Sequence, residues 1–378
     1  MDSHPILADL LADVRALVEC ESPSADLAAV AGSADVVARI GAGRLGVEPE
    51  RIVLDGRTHL RWRLGTGPSR VLVLGHHDTV WPLGSLATRP CTVEGGVLRG
   101  PGCFDMKAGL AMAFHALAGA EGVTLLVTGD EELGSPSSRG LIEDEARATR
   151  AALVLEASAD GGALKTERKG VSLYDVRVAG RAAHAGLDPE RGVNATLELA
   201  RQALAVAALA DPAAGTTVTP TTARAGTTTN TVPAEGSFAV DVRVRTVAEQ
   251  DRVDAAMRAL TPVLDGAAVT VLGGPNRPPL EARSSAALLA RVRAVAGRLG
   301  LPEPRAAAVG GASDGNFTAG VGTPTLDGLG AVGGGAHAED EHVLVDHLVD
   351  GTRLLAGLVA DLLAEPTNVP VPTGAARP

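Results

Sequence analysis

Residues 71–79 read Val-Leu-Val-Leu-Gly-His-His-Asp-Thr. Four consecutive apolar residues describe a strand buried on both faces, as in a sheet covered by helices on each side. The polar group that follows, His76-His77-Asp78, falls where open α/β sheets carry their sites, beyond the carboxyl end of a strand. The pattern recurs downstream. Residues 123–128 run into Gly129-Asp130-Glu131-Glu132-Leu133-Gly134, and residues 151–155 run into Glu156. Between these runs, 107–120 and 138–149 have helical spacing. Strands alternating with helices predict an α/β fold built on a mostly parallel sheet.

Upstream, helical periodicity reaches about Leu45, and short strands are expected at 51–54 and 60–64. The character changes near Gly170. An alternating run at 171–178, a helix at 194–209, a Thr-rich run at 216–225, a second alternating run at 238–244, a helix at 247–264 and a strand at 269–272 give the order β-α-β-β-α-β. That order predicts a small ferredoxin-like α+β domain with one open sheet face. A long helix at 284–299 then restores the first pattern. The expected organisation is a discontinuous catalytic domain, 1–169 and 278–378, with an inserted lid at 170–277. The tail from Glu365 reads as a frayed end.

Hydrophobic residues make up 45% of the 378, but aromatics only 2%, so packing must rest on Ala, Val and Leu. No apolar run approaches the roughly 20 residues of a membrane span, and the amino end carries acids where a signal peptide needs basic residues. Three cysteines without ligand-like spacing suit a reducing compartment, so a cytoplasmic location is expected. A net charge of −11 argues against a nucleic-acid partner, which needs clustered Lys and Arg. The glycines at 100–109 lack GxGxxG spacing, which argues against a dinucleotide-binding dehydrogenase.

The chemistry lies in the strand ends taken together. To His76, Glu131, Glu132 and Glu156 the sequence adds Asp105, in the turn Gly100-Pro-Gly-Cys-Phe-Asp-Met-Lys107, and His337, after Gly333-Gly-Gly-Ala. One His beside a strand is usually an ordinary loop residue, and one acidic pair a solvated turn. Converging carboxylates repel one another unless a cation lies between them, and no basic cluster is nearby. Imidazole and carboxylate ligands without thiolate suit Zn²⁺, with Mn²⁺ or Co²⁺ as alternatives. His77, adjacent to His76, should point away from it, and His115 and Cys103 read as structural.

The motifs GHHDTV, GPGCFDMKAG, TGDEELGS, LEAS, GRAAHAG and GGGAH occur in an order resembling that of a zinc metallopeptidase family. It includes aminoacylase, acetylornithine deacetylase, succinyl-diaminopimelate desuccinylase and the glutamate carboxypeptidases, and the last branch is the most similar. The resemblance implies two zinc ions held by His76, Asp105, Glu132, Glu156 and His337. Asp105 bridges them, Glu132 and His337 serve one ion, and Glu156 and His76 the other. It further implies that Asp78 orients His76, that Glu131 is the general base toward the bridging water, and that the Asp105–Met106 peptide bond is cis. His184 would stabilise the oxyanion in a partner subunit's site, making the protein a homodimer through its lid. Asn230 and Arg277 would meet the substrate carboxylate, and Arg243 is either a further contact to it or an ordinary surface charge.

A Glu at position 156 goes with carboxypeptidases and acylases in that family. The expected reaction is therefore release of a C-terminal amino acid, glutamate first, from a peptide or N-acyl substrate. An N-acyl-amino-acid deacylase is the alternative, and a non-catalytic binding protein on the same fold a remote one.

Overall fold

The computed structural model describes residues 5–364. The segment expected to fray, from Glu365, lies outside them. Two compact units result: one holds the chain up to Glu167, Ala282–Val309 and the chain from Ser313, the other Arg168–Glu281 and Gly310–Ala312.

In the first unit a six-stranded sheet runs, in spatial order, Glu50–Leu54, Arg57–Leu64, Val123–Thr128, Val71–His76, Ala151–Val154 and Thr325–Leu326. The last four are mutually parallel, and the first two join antiparallel at one edge. Strand Val71–His76 is buried at every position, as its apolar run predicts. Alternate residues serve two cores. Val71 and Val73 pack with helices Pro5–Val18, Leu27–Leu45, Ala108–Ala116 and Leu348–Leu363, while Leu72 and Leu74 pack with Ile142, Ala146 and Phe317 on the opposite face. Parallel register places His76 opposite Thr128 and Leu74 opposite Val154. Three strands therefore end at one edge of the sheet, and their polar successors converge there.

The continuous helical stretch expected to Leu45 is two helices, broken around Ser22-Pro23-Ser24, because Asp26 Oδ1 accepts from Ala28 N and Ala29 N, both at 3.0 Å, and so caps the second. The helix expected at 107–120 is Ala108–Ala116, preceded by a wide turn, Cys103–Lys107.

In the second unit, strands Thr217–Ala225, Glu235–Val244, Gly170–Ala179 and Ala268–Arg277 form an antiparallel sheet in that spatial order. This is the 2-3-1-4 arrangement of a β-α-β-β-α-β chain. Tyr174, Val176, Val178, Phe238, Val240 and Val242 alternate inward beneath helices Ala195–Ala207 and Val247–Arg258. The second helix stops short of the expected Leu264. Pro262 disfavours helical backbone before it, and Val263 N and Leu264 N donate instead to the Glu198 carboxylate at 2.9 and 2.7 Å. Among the described residues, no helix is long and apolar enough to cross a membrane.

Candidate metal centre

His76 ends its strand with its ring buried, and its Nδ1 lies 3.0 Å from the carbonyl oxygen of Asp78. A carbonyl only accepts, so Nδ1 carries the proton and Nε2 presents its lone pair. That lone pair faces Asp105 Oδ1 at 3.3 Å and Glu156 Oε1 at 3.5 Å. The other oxygen of Asp105 lies 3.3 Å from His337 Nε2, which is 3.1 Å from Glu132 Oε1. One carboxylate thus sets each of its oxygens against a different imidazole. Donor atoms of His76, Glu131 and Glu156, and of His76, Asp105 and Glu132, gather within 4.8 Å of one another.

The arrangement needs positive charge. His76 Nε2 and Asp105 Oδ1 are buried and, among the described residues, make no hydrogen bond. Burial opposes a charged ring at His76, yet Asp105, Asp78 and Glu156 raise its pKa well above the ordinary value. Asp105 and Glu132 raise His337 to about 10 against a smaller cost of burial. Burial pushes Glu132 up, whereas Asp105 is held well below the carboxylate range, burial notwithstanding, by His337 and His76. Imidazole and carboxylate donors converging in this way, with no thiolate among them, fit a divalent metal ion.

The surrounding hydrogen bonds explain how the chain holds these groups. Asp78 meets His76 Nδ1 chiefly through its backbone carbonyl, with its carboxylate farther off at 3.5 Å. The carboxylate is occupied elsewhere, since Oδ1 accepts from Glu131 N and Oδ2 from Glu132 N, each at 3.2 Å, and Ser24 Oγ donates to Oδ2 at 2.6 Å. Asp78 thereby ties the His76 strand to the turn bearing Glu131 and Glu132. Asp130 accepts from Ser137 and Ser138 through both backbone and side chain, fixing the far side of that turn. The Asp105–Met106 peptide bond is cis, and His337 sits at φ +62°. His77 turns away as expected, with Nε2 3.0 Å from Thr58 O, and burial lowers its pKa to about 4. His115 pairs with Asp13 at 2.8 Å, and the Cys103 thiol is buried.

Sequence reasoning missed Ser24 and Glu341. Ser24 precedes a helix cap and looks like part of it. Glu341 closes the acidic run Glu339-Asp340-Glu341, which reads as solvated, yet it is 4% exposed and holds the Asp105 turn.

The remaining expected residues belong to the second unit. His184 is exposed on the short strand Ala183–His184, paired with Thr231–Val232, and Ala185 N donates to Asn230 O at 2.9 Å. Arg243 and Arg277 occupy the strands flanking Gly170–Ala179, both in register with Val171. Arg277 is buried, and the Arg243 guanidinium is engaged by Asp241 at 2.8 and 2.9 Å.

Comparison with known proteins agrees with this geometry. Residues 72–361 match the model of Peptidase family M20/M25/M40. The chain is 33% identical over 297 residues to carboxypeptidase G2 of Pseudomonas sp. (strain RS-16), covering 73% of this chain and 70% of that protein. Among solved structures, aminopeptidase PepT from Bacillus cereus ATCC 10987 shares the fold with a TM-score of 0.73 at 20% identity, over 94% of this chain and 99% of that one. The Bacillus subtilis YXEP protein, described as a dinuclear metal-binding M20 peptidase, has a TM-score of 0.64 at 14% identity, over 95% and 99%. This chain belongs to peptidase family M20/M25/M40, and it is a metal-dependent hydrolase of peptide or amide bonds.

Proposed function

We propose that this protein is a two-zinc carboxypeptidase that releases a C-terminal amino acid, glutamate first, from a peptide or N-acyl partner. The observation that carries this reading is Asp105, whose two oxygens face separate imidazoles at 3.3 Å each within a ring of further carboxylates. His76 and Glu156 would hold one ion, Glu132 and His337 the other, with Asp105 shared. When bound, such ions supply Lewis-acid charge and make water acidic enough to attack near neutral pH. The identity with carboxypeptidase G2 supports the C-terminal direction of cleavage.

The chain's own residues supply the rest. Glu131, held through its backbone N–H by Asp78, takes a proton from the attacking water and returns it to the leaving amine. Asn230, Arg277 and Arg243 are assigned to the substrate carboxylate, to which a guanidinium fork is suited. Arg243 serves only if its pairing with Asp241 opens. His184 is assigned to the oxyanion. The domain assignment is a catalytic 1–169 with 278–378 and a lid at 170–277. The lid pairs two copies into a homodimer, and the protein works in the cytoplasm.

The test is amine release from dipeptides and N-acyl amino acids in the presence of Zn²⁺, each beside its C-terminal amide. Free-carboxylate substrates should be cleaved and their amides left intact. Equal cleavage of both would remove the carboxypeptidase assignment. Preference for simple N-acyl amino acids over dipeptides would favour the deacylase alternative.

A further inference from the structure

Glu341 is almost fully buried, and four groups donate to its carboxylate. Oε1 accepts from Phe104 N at 2.9 Å and Asp105 N at 3.0 Å, and Oε2 from Gly102 N at 2.8 Å and Trp81 Nε1 at 2.7 Å. Every partner is a donor, so the arrangement suits an ionised, acceptor-only carboxylate. Three of the four are the backbone amides of the turn that carries Asp105.

The same residue closes the loop that carries His337. Ala338 N donates to Gly335 O at 2.9 Å and Glu341 N to Ala338 O at 3.1 Å, folding residues 335–341 back on themselves. Gly335, at φ +74°, has no room for a side chain, since a Cβ there would fall 2.8 Å from Asp340 and from Glu341 N. Beyond Glu341, strand His342–Leu344 pairs with Val97–Arg99, which leads into the Asp105 turn. The two loops are thus fastened to each other at Glu341 and along this ladder. His76, in contrast, ends a strand of the central sheet, and Glu156 follows the end of another.

We propose that Glu341 is a positioning residue for the metal centre: its carboxylate joins the Asp105 turn to the His337 loop and so sets the half of the centre formed by Asp105, His337 and Glu132. It touches no substrate and acts through the two ligands it aligns. The inference rests on the two-ion reading above.

The test is a Co²⁺ titration of metal-free wild type and metal-free Glu341→Gln, followed by calorimetry and visible absorption, with the Tm of each metal-free protein. Gln keeps the volume but turns an NH₂ group toward backbone N–H donors. Wild type should take up two ions. In the variant the two sites should weaken unequally: one loses about 10–100-fold, the usual effect of removing a group that orients ligands, and the other, which shares only Asp105 with it, much less. The metal-free Tm should change by only a few degrees. Glu341→Asp keeps the charge but is one methylene too short for both loops, and it should show the same one-sided loss even if the Gln variant fails to fold. Trp81→Phe removes one donor but leaves the backbone bonds, and should retain both ions. Unchanged affinity for both ions in the Glu341 variants would overturn the proposal. So would an equal weakening of both sites together with a lower metal-free Tm, the mark of a general structural role. Wild-type stoichiometry tests the two-ion reading and the variant-to-wild-type ratio tests Glu341, so each can fail separately.

Discussion

At the scale of single residues, Glu131 and His59 make different predictions. Glu131→Gln preserves shape but cannot accept a proton. Its rate should fall by about 10²–10⁴, the usual worth of general-base catalysis, with metal content unchanged. A variant within a few-fold of wild type in steady-state assays would put the base elsewhere. His59 concerns stability. Its Nδ1 accepts from Gly129 N at 3.2 Å, immediately before the Asp130–Glu132 turn, and burial lowers its pKa. The unfolded chain then takes up the proton first, near the ordinary value of about 6.5. Stability contributed by neutral His59 is therefore complete above that value and is lost as pH falls toward the lower folded value, by at most about 1.4 kcal/mol per pH unit. Thermal unfolding between pH 7 and 5 should show a shallower slope for His59→Asn than for wild type. Parallel slopes would clear His59 of this role.

At the scale of elements, the centre depends on close backbone approach around Glu156. A Cβ at Gly330 would lie 2.2 Å from Leu155 O and 2.8 Å from Glu156 O, and one at Gly109 would lie 2.5 Å from Leu155 O. The strand end carrying Glu156 is therefore gripped from two sides, and side chains at those glycines would push it away. Gly330→Ala should cost about 1–3 kcal/mol, as overpacking does, and should also lower metal retention. Gly32 lies in helix Leu27–Leu45 with nothing within 4 Å of its added Cβ, so Gly32→Ala should be stabilising by about 0.5–1 kcal/mol. Denaturant melts of the two variants should shift in opposite directions. A tolerated Gly330→Ala with full metal content would show that Glu156 needs no such grip.

At the scale of the whole molecule, the proposed homodimer makes His184 testable. If it serves a partner's site, His184→Ala should lose kcat with folding and metal binding intact, because an oxyanion donor acts mainly in the transition state. An exposed histidine without that role predicts no change. Refolding His184→Ala together with Glu131→Gln separates action in trans from action within one subunit. Each mixed dimer would contain one complete site, so activity should return to about a quarter of wild type if subunits pair at random. No recovery despite proven subunit exchange would exclude action in trans.

The strands were legible in the sequence wherever an apolar run or a strict alternation recorded which faces are buried, as at 71–74, 123–128 and 238–244. The polar residues directly after those runs were legible as a site for the same reason, since strand ends of a parallel sheet share one edge. Resemblance in the motifs, not spacing, supplied the roles of Asp105, His337 and Glu131. What stayed hidden was every hydrogen bond whose two ends lie far apart in the chain. Nothing local marks Ser24 as the partner of Asp78, or Glu341 as the anchor of a turn 236 residues earlier. Nor does periodicity reveal that Glu198 takes the amides of 263 and 264 where Pro262 bars the helix. Burial preference is a property of each side chain and its near neighbours, so sequence alone determined the elements and the edge where chemistry gathers. Which donor meets which acceptor depends on distances set only when the sheet and its loops close, so tertiary structure decided how the centre is held.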